Sequence, residues 1–193
     1  EHIGFVIAPR MNSLGRLSDA ASAVDFLTTT DLAQARILAD EMEGLNARRR
    51  MLVRQVQEAV EERIHQDPAL LKAAAIVVSS TIWPGGILGI VAGNLARRYG
   101  RPVGLITTAE GDLGHGSARS VEGCNIAAAF DAQSDMLVQH GGHPMAAGLA
   151  IEPERIPEFR EALSRTVREM IGAEPREVTI EIDGYVSVED VSL

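Results

Sequence analysis

The sequence predicts an α/β fold in which a long N-terminal connecting helix precedes a mainly parallel or mixed sheet with flanking helices. The first observation is the segment from Leu32 to about Gln66, which lacks proline, has Gly44 as its one glycine, and repeats apolar residues at helical spacings. This pattern predicts one long helix or two helices in line. The second is the change of pattern at Asp67-Pro68. Residues 73–79 are then almost all apolar and rich in β-branched side chains, which is typical of a strand buried on both faces.

A strand–helix–strand unit follows. A helical pattern begins after Trp83-Pro84-Gly85-Gly86 and continues to Tyr99, and Val103 to Thr107 forms a second apolar strand. Such a unit implies parallel strands joined by a right-handed crossover. Further strands are predicted near residues 115–120 and 146–151, and further helices over 125–131 and 153–171.

The N-terminal region is expected to be less regular. Glycine and proline punctuate residues 1–18, which we interpret as an ordered loop. Ser18 is predicted to cap a short helix over residues 19–27. Asp31, with Gln34 three residues later, has the pattern of a capping box and predicts the start of the long helix.

Three regions are expected. Residues 1–70 hold the loop and the connecting helix, residues 71–172 form the α/β domain, and residues 173–193 contain a linker and the start of a following β element. The chain begins with Glu1 and not with methionine. We therefore expect it to be part of a longer protein.

Composition limits the kinds of function. The net charge is −9, which argues against coating nucleic acid through a general positive field, so anion binding has to be local. A single cysteine, Cys124, permits no internal disulfide and favours a reducing cytoplasm. The longest apolar stretch, residues 87–96, contains glycines and is much shorter than the ~20 residues of a membrane-spanning helix. No membrane association is expected.

The motif Gly-Ser-Ala-Arg-Ser at residues 116–120 is the first candidate site. Side chains alternate along a strand, so Ser117 and Arg119 would share one face and offer a hydroxyl and a guanidinium to a phosphate. Gly116 and Ala118 would form the opposite face, where their small size allows a backbone or a ligand to come close. The alternative is an ordinary edge strand with a solvated arginine.

The segment Gly141-Gly142-His143 is the second candidate. Paired glycines adopt positive φ readily and form a concave nest of backbone N–H groups that binds anions. His143 would add a charge or a proton. The alternative is a structural histidine.

Arginines near the N-terminus form a third candidate. Arg10, Asn12 and Arg16 lie within one short segment, and arginine and amide groups suit sugar–phosphate contacts. The alternative is a loop with surface arginines. Residues 48–50 are three consecutive arginines, which we interpret as a solvated helix face.

Metal ligation and nucleophilic catalysis lack a supporting motif. The five histidines stand in no H-x-x-x-H or H-E-x-x-H pattern and have no D-x-D neighbour. No G-x-S-x-G motif is present, and Cys124 has no activating pattern beside it. Neither a metal ion nor another cofactor is therefore expected in this chain.

Four motifs together resemble the RecJ-type single-stranded-DNA-specific exonucleases, members of the DHH phosphoesterase superfamily. They occur in the family's order between about Phe5 and Ile171. The motifs are IAPRMNSLGR at 7–16, WPGGILGIVA at 83–92, GSARS at 116–120 and GGHPMAAGL at 141–149.

The resemblance implies a two-domain enzyme, active in DNA repair and recombination, of which this chain holds the connecting helix and the DHH-associated domain. The absent N-terminal DHH domain would bind Mn²⁺ or Mg²⁺ and pack in cis, and the substrate would be single-stranded DNA degraded from 5′ to 3′. Ser117 and Arg119 match residues that hold a terminal phosphate, Arg10 matches one that faces the DNA, and His143 lies in the segment placed beside the scissile phosphate. The chain alone is expected to be inactive.

Two other functions stay open. One is the substrate-binding domain of an oligoribonuclease or cyclic-dinucleotide phosphodiesterase of the same superfamily, which shares the Gly-Gly-His segment. The other is a tRNA-binding module, since a related associated domain occurs in alanyl-tRNA synthetases.

Overall fold

The computed structural model describes residues 1–108 and 113–172, together with the isolated positions 184 and 187. The predicted linker and β element over residues 173–193 lie outside the described residues apart from those two positions. The helices are α1 (Ala8–Leu17), α2 (Ala21–Thr28), α3 (Leu32–Gln66), α4 (Gly85–Tyr99), α5 (Ile126–Asp131) and α6 (Ile156–Ile171), with a π-helical turn at Ile3–Ile7 and 3₁₀ turns at Pro68–Leu71 and Pro153–Arg155. The strands are β1 (Ile76–Ser80), β2 (Val103–Thr107), β3 (Gly114–Arg119), β4 (Gln139–His143) and β5 (Ala146–Ile151).

The five strands form one mixed sheet in the order β1-β2-β3-β5-β4. β1 and β2 are parallel and are joined by α4, which confirms the predicted strand–helix–strand unit. The other neighbours are antiparallel. β3 lies inside the sheet between β2 and β5, so the alternative of an edge strand is wrong.

Helices cover both faces of the sheet and bury two apolar clusters. On one face α4 buries Ile87, Val91 and Leu95 against strand residues that include Leu105, with part of α3 packed behind it. On the other face α5 and α6 meet through Phe130 and Phe159, whose ring centroids lie 5.7 Å apart in an edge-to-face contact. The α/β class is confirmed.

The long helix α3 forms as predicted. It has 35 residues, which at ~1.5 Å per residue makes it about 52 Å long. Asp31 caps it by accepting a hydrogen bond from the Ala33 N–H at 2.8 Å. Gln34 does not close a capping box, because its side chain bonds the Thr29 hydroxyl. In the described part of the chain no helix combines the length and hydropathy that crossing a membrane requires.

Residues 2–17 are helical, and the prediction of a loop over residues 1–18 is wrong. The π-helical turn continues into α1 without a break, and Pro9, near the junction, removes one backbone N–H from this helical run. α1 is held by packing on α3, which buries Ser13 and Leu14. The cap of the next helix also differs, since Asp19 and not Ser18 accepts a hydrogen bond, from the Ala21 N–H at 2.9 Å.

Strand β4 was not predicted. Gly141 and Gly142 are extended and pair with Gly148 and Ala147 of β5, so they do not form the expected nest. Of the two, only Gly142 has positive φ, at 156°. A Cβ there would lie 2.3 Å from the Ala146 carbonyl oxygen, whereas a Cβ at Gly141 would meet nothing within 4 Å. The glycine pair therefore reflects close strand packing at one position and open space at the other.

The two glycines predict different costs of substitution. Gly142→Ala should lower the free energy of unfolding by about 1–3 kcal/mol or more, because the methyl group meets backbone atoms and the conformation is strained. Gly141→Ala should change it by less than about 0.5 kcal/mol. Urea unfolding followed by circular dichroism measures both. Equal losses in the two variants would contradict this assignment of β4.

Candidate functional site

The site is built on the part of the sheet that α4 leaves uncovered. Directly opposite residues of antiparallel strands point to the same face, so the register of β3, β5 and β4 defines three rows across it. Each row begins on β3, crosses a small residue of β5 and ends on β4. The rows are Arg119, Ala146 and His143; Ser117, Gly148 and Gly141; and His115, Ala150 and Gln139. We call this surface the open face.

The open face contains a cavity because its central strand carries only small residues. The cavity has a volume of about 350 Å³, and its lining includes His115 and Gln139 at the sides and Gly148 and Ala150 on the floor. α4 packs over β2 and β3 and leaves β5 and β4 uncovered on this side. The molecule therefore has a polar-walled depression beside α4.

Arg119 lies along α4 and reaches Ser117. Its Nη1 donates to the Ser117 hydroxyl oxygen at 3.0 Å and to the Ala118 carbonyl at 2.8 Å. A Cβ on Gly89 would lie 2.5 Å from Arg119 Nη2, and one on Gly93 would lie 3.7 Å from Arg119 Cγ. The structure confirms that Ser117 and Arg119 share a face, and Gly89 leaves the space that the guanidinium occupies.

Gly116 and Ala118 lie on the opposite face, as the alternation predicts. They do not face a ligand there. A Cβ on Gly116 would lie 3.0 Å from a side-chain carbon of Ile106 and 3.1 Å from Leu149, and Ala118 is wholly buried. Their small size serves the apolar core.

Arg16 lies at the N-terminus of α4. Its Nη1 donates to the Gly86 carbonyl at 3.0 Å, and Gly86 has to be glycine because a Cβ would lie 2.1 Å from the Arg16 carbonyl oxygen. The helix N-cap, Pro84, makes no side-chain hydrogen bond to the first turn. A helix N-terminus carries partial positive charge, so Arg16 strengthens an electropositive point.

Arg49 is a third arginine in this region. Its Nη2 donates to Asn46 Oδ1 at 2.9 Å, and its Nε is buried with no hydrogen-bond partner among the described residues. Burial lowers the pKa of Arg49, and the charges of Arg16 and Arg50 lower it further. The predicted solvated face of residues 48–50 holds for exposed Arg48 and Arg50 but only in part for Arg49, which is half-buried and close enough to feel the charge of Arg16. We call Arg16, Arg49 and Arg119 the arginine cluster.

The arginine cluster carries unneutralised positive charge. Burial lowers the pKa of Arg119, and the charge of Arg16 lowers it further. Within the described residues none of the three makes an ion pair with a carboxylate. A phosphate group beside Ser117 would accept several charge-assisted hydrogen bonds and relieve this repulsion.

His143 ends β4 at the border of the open face. It is exposed, and its Nδ1 accepts a hydrogen bond from the Met145 N–H at 3.3 Å. That contact assigns the proton of the neutral ring to Nε2, which is left as an outward donor. His140, three residues earlier, faces the other side of the sheet and bonds Asp131 at 3.0 Å.

The other two predicted residues lie on α1. Arg10 does not join the arginine cluster, because it bonds Glu43 of α3 and donates to the Val6 carbonyl at 2.7 Å. Asn12 is exposed and lines, with Arg16, a cavity of about 450 Å³ bordered by α1 and α2. α1 therefore sends Arg16 toward α4 and Arg10 toward α3.

Groups of three or more potential metal ligands do not occur among the described histidine, cysteine, aspartate and glutamate residues. The site described above is one of hydrogen-bond donors and positive charge.

Comparison with known proteins assigns this arrangement to a class. The model of the DHHA1 domain matches residues 72–169, and the chain belongs to that family. Over its full length it is also similar to the single-stranded-DNA-specific exonuclease RecJ. The identity is 35% over 194 residues with the protein of Bacillus subtilis, covering 100% of this chain and 24% of that protein. With the protein of Dickeya dadantii it is 31% over 198 residues, covering 99% and 34%.

Solved structures give the same result. RecJ from Thermus thermophilus in complex with Mg²⁺ matches with a TM-score of 0.77 at 30% identity, over 90% of this chain and 26% of that one. Exonuclease RecJ bound to manganese matches with a TM-score of 0.75 at 33% identity, over 86% and 40%. The resemblance inferred from the four motifs is confirmed. The chain spans about a quarter to a third of the length of the curated relatives.

Three residues of the site escaped sequence analysis. Arg49 was hidden in a run of arginines, where only its neighbours in space distinguish it. Gly86 and Gly89 lie in the motif at 83–92, and a glycine inside a helix costs stability, which is a signal for close approach. The glycines indicate that another group comes close to the helix at these two positions. The sequence does not show that these groups are the Arg16 backbone and the Arg119 side chain.

Gly89 and Gly93 provide a matched pair of variants. Gly89→Ala should displace the Arg119 guanidinium and weaken binding of a phosphate-bearing ligand beside Ser117 by about 1.5 kcal/mol or more, the value of a hydrogen bond to a charged group. Gly93→Ala should keep the affinity and add about 0.5–1 kcal/mol of stability, as alanine does inside a helix. Fluorescence anisotropy and urea unfolding measure the two effects. Equal ligand affinities of the Gly89→Ala and Gly93→Ala variants would show that Gly89 does not position Arg119.

Proposed function

We propose that this chain is the DNA-holding part of a 5′-to-3′ exonuclease specific for single-stranded DNA. The observation that carries the proposal is the arginine cluster beside Ser117 at the N-terminus of α4, next to a sheet face left open. A chain of net charge −9 does not attract nucleic acid through a general positive field. A terminal phosphate is instead gripped at one point, where charge and donors converge.

Cleavage requires a second part of the enzyme. In this proposal a DHH domain of the same polypeptide would hold Mn²⁺ or Mg²⁺, and the ion would supply activation of water and polarisation of the phosphate. The crystal structures of RecJ that match this chain include complexes with Mg²⁺ and with Mn²⁺. The present residues hold the DNA and place His143 at the border of the cleft.

The N-terminal helices supply a surface for that domain. Large apolar side chains are exposed there, which marks interaction surfaces when they cluster. They include Phe5 at 81%, Ile37 at 68%, Leu32 at 66% and Leu27 at 65% exposure. We propose that the DHH domain covers this surface in cis and thereby faces the open face across a cleft. The cytoplasm is the proposed location, where the buried thiol of Cys124 stays reduced.

A substitution of Arg119 tests the proposed phosphate site, which consists of Ser117 and the arginine cluster and which we call the phosphate grip. Arg119→Ala should weaken binding of a 5′-phosphorylated single-stranded oligonucleotide by about 1.5–3 kcal/mol and leave binding of the 5′-hydroxyl form nearly unchanged. Arg165→Ala on α6 is the control, since Arg165 is exposed and its helix packs on the other face of the sheet. Anisotropy with a 3′-labelled oligonucleotide measures both. Equal losses for the two oligonucleotides would refute a terminal-phosphate site.

His143 tests the link to catalysis. In the full-length protein with Mn²⁺, His143→Ala should lower kcat by about 100-fold or more, the usual contribution of a group that transfers a proton, and leave the affinity for DNA within about twofold. His65→Ala, an exposed histidine of α3, is the control. The 193-residue chain alone should not hydrolyse DNA under the same conditions. Hydrolysis by the chain alone would contradict the division of labour.

A further inference from the structure

His115 and Gln139 have no role in the proposed phosphate site, because they lie in a different row of the open face from Ser117 and Arg119. They occupy the third row of the open face, on either side of Ala150, with Gly148 of the next row beside it. Two strand spacings of ~4.8 Å separate β3 from β4, so the two side chains stand about 10 Å apart at their base. Both are exposed, and both line the cavity of about 350 Å³.

The row lies next to the phosphate grip. Ser117 and His115 are two residues apart on one strand, so their Cα atoms are separated by about 7 Å. α4 begins at the same level, because a Cβ on Gly85 would lie 3.7 Å from Thr107, and Thr107 pairs with His115. A phosphate held by the arginine cluster at this border leaves the rest of its nucleotide to extend across β5 toward β4.

The chemistry of the cavity suits a base and not a second phosphate. The described residues that line it include neither lysine nor arginine, in contrast to the border with α4. Its floor of glycine and alanine admits a flat group. His115 offers an aromatic ring on which a base can stack, and Gln139 offers both a donor and an acceptor to a base edge.

We propose that His115, Gln139 and the floor of Gly148 and Ala150 form a base subsite, which takes one unpaired base of a strand whose phosphate is held by the arginine cluster. This rests on the proposed function. An unpaired base enters such a depression, whereas a base in a duplex is stacked and paired. The subsite therefore gives this chain its own means of preferring single strands.

The test walks one abasic position through the first four nucleotides of a 3′-labelled, 5′-phosphorylated oligonucleotide and measures binding to the chain by fluorescence anisotropy. One position should cost about fivefold or more in affinity, as expected for the loss of a stacked base. His115→Ala should weaken binding of the intact oligonucleotide by a similar factor and abolish the dependence on that position. His115→Phe should retain the dependence, and His65→Ala should behave as wild type.

The outcomes separate this proposal from the one on which it rests. If Arg119→Ala weakens binding but neither His115→Ala nor Gln139→Ala changes the abasic profile, the base subsite is wrong and the phosphate grip stands. If the wild-type chain shows no preference for a 5′-phosphate, both proposals fall. A circular dichroism spectrum equal to that of wild type, expected for substitutions at exposed positions, assigns any loss to the contact itself.

Discussion

Arg119 can lie flat on α4 because Gly89 has no side chain, and the arrangement of the site depends on this contact. With the guanidinium held there, Ser117 accepts its hydrogen bond and the positive charge faces the border of the sheet. A bulkier helix surface would push the side chain outward over β5. The contact therefore fixes both the place of the charge and the openness of the neighbouring strands.

The arginine cluster has an electrostatic cost in the free protein. Burial lowers the pKa of both Arg49 and Arg119, and the charge of Arg16 lowers both further, which means that its charge disfavours theirs. Packing of α1, α3 and β3 against α4 holds the three side chains together in spite of this repulsion. A phosphate bound as proposed would replace repulsion by attraction and would thereby couple binding to the stability of this junction.

Much of the fold followed from periodicity, while the N-terminal region and β4 did not. The long helix, the strand–helix–strand unit and β3 have strong local patterns, and the shared face of Ser117 and Arg119 follows from alternation alone. Residues 2–17 become helical through burial of Leu14 against α3, a tertiary effect that outweighs glycine and proline signals. β4 contains two glycines and gains its structure from pairing with β5. The local sequence of these two segments does not indicate that one packs on α3 and the other pairs with β5.

The site, like the fold, was predictable where it depends on local spacing and not where it depends on tertiary packing. Its strand residues were found because spacing places them together, whereas Arg49 joins Arg16 only through the packing of two helices distant in sequence. Arg10 shows the converse, since it shares a motif with Arg16 and yet turns to Glu43. The motif thus indicated which segment lies near the site. The position of each residue around α1 determines that Arg16, and not Arg10, reaches α4.

β4 has a consequence for self-association. It is the last strand of the described sheet, and an edge strand presents unpaired N–H and C=O groups that can template pairing with another chain. This edge is a poor template, because it has five residues, two of them glycines of low β-propensity, and Pro144 follows at once with no N–H to offer. The shortage of side chains that keeps the open face accessible therefore also protects the sheet from aggregation at this edge.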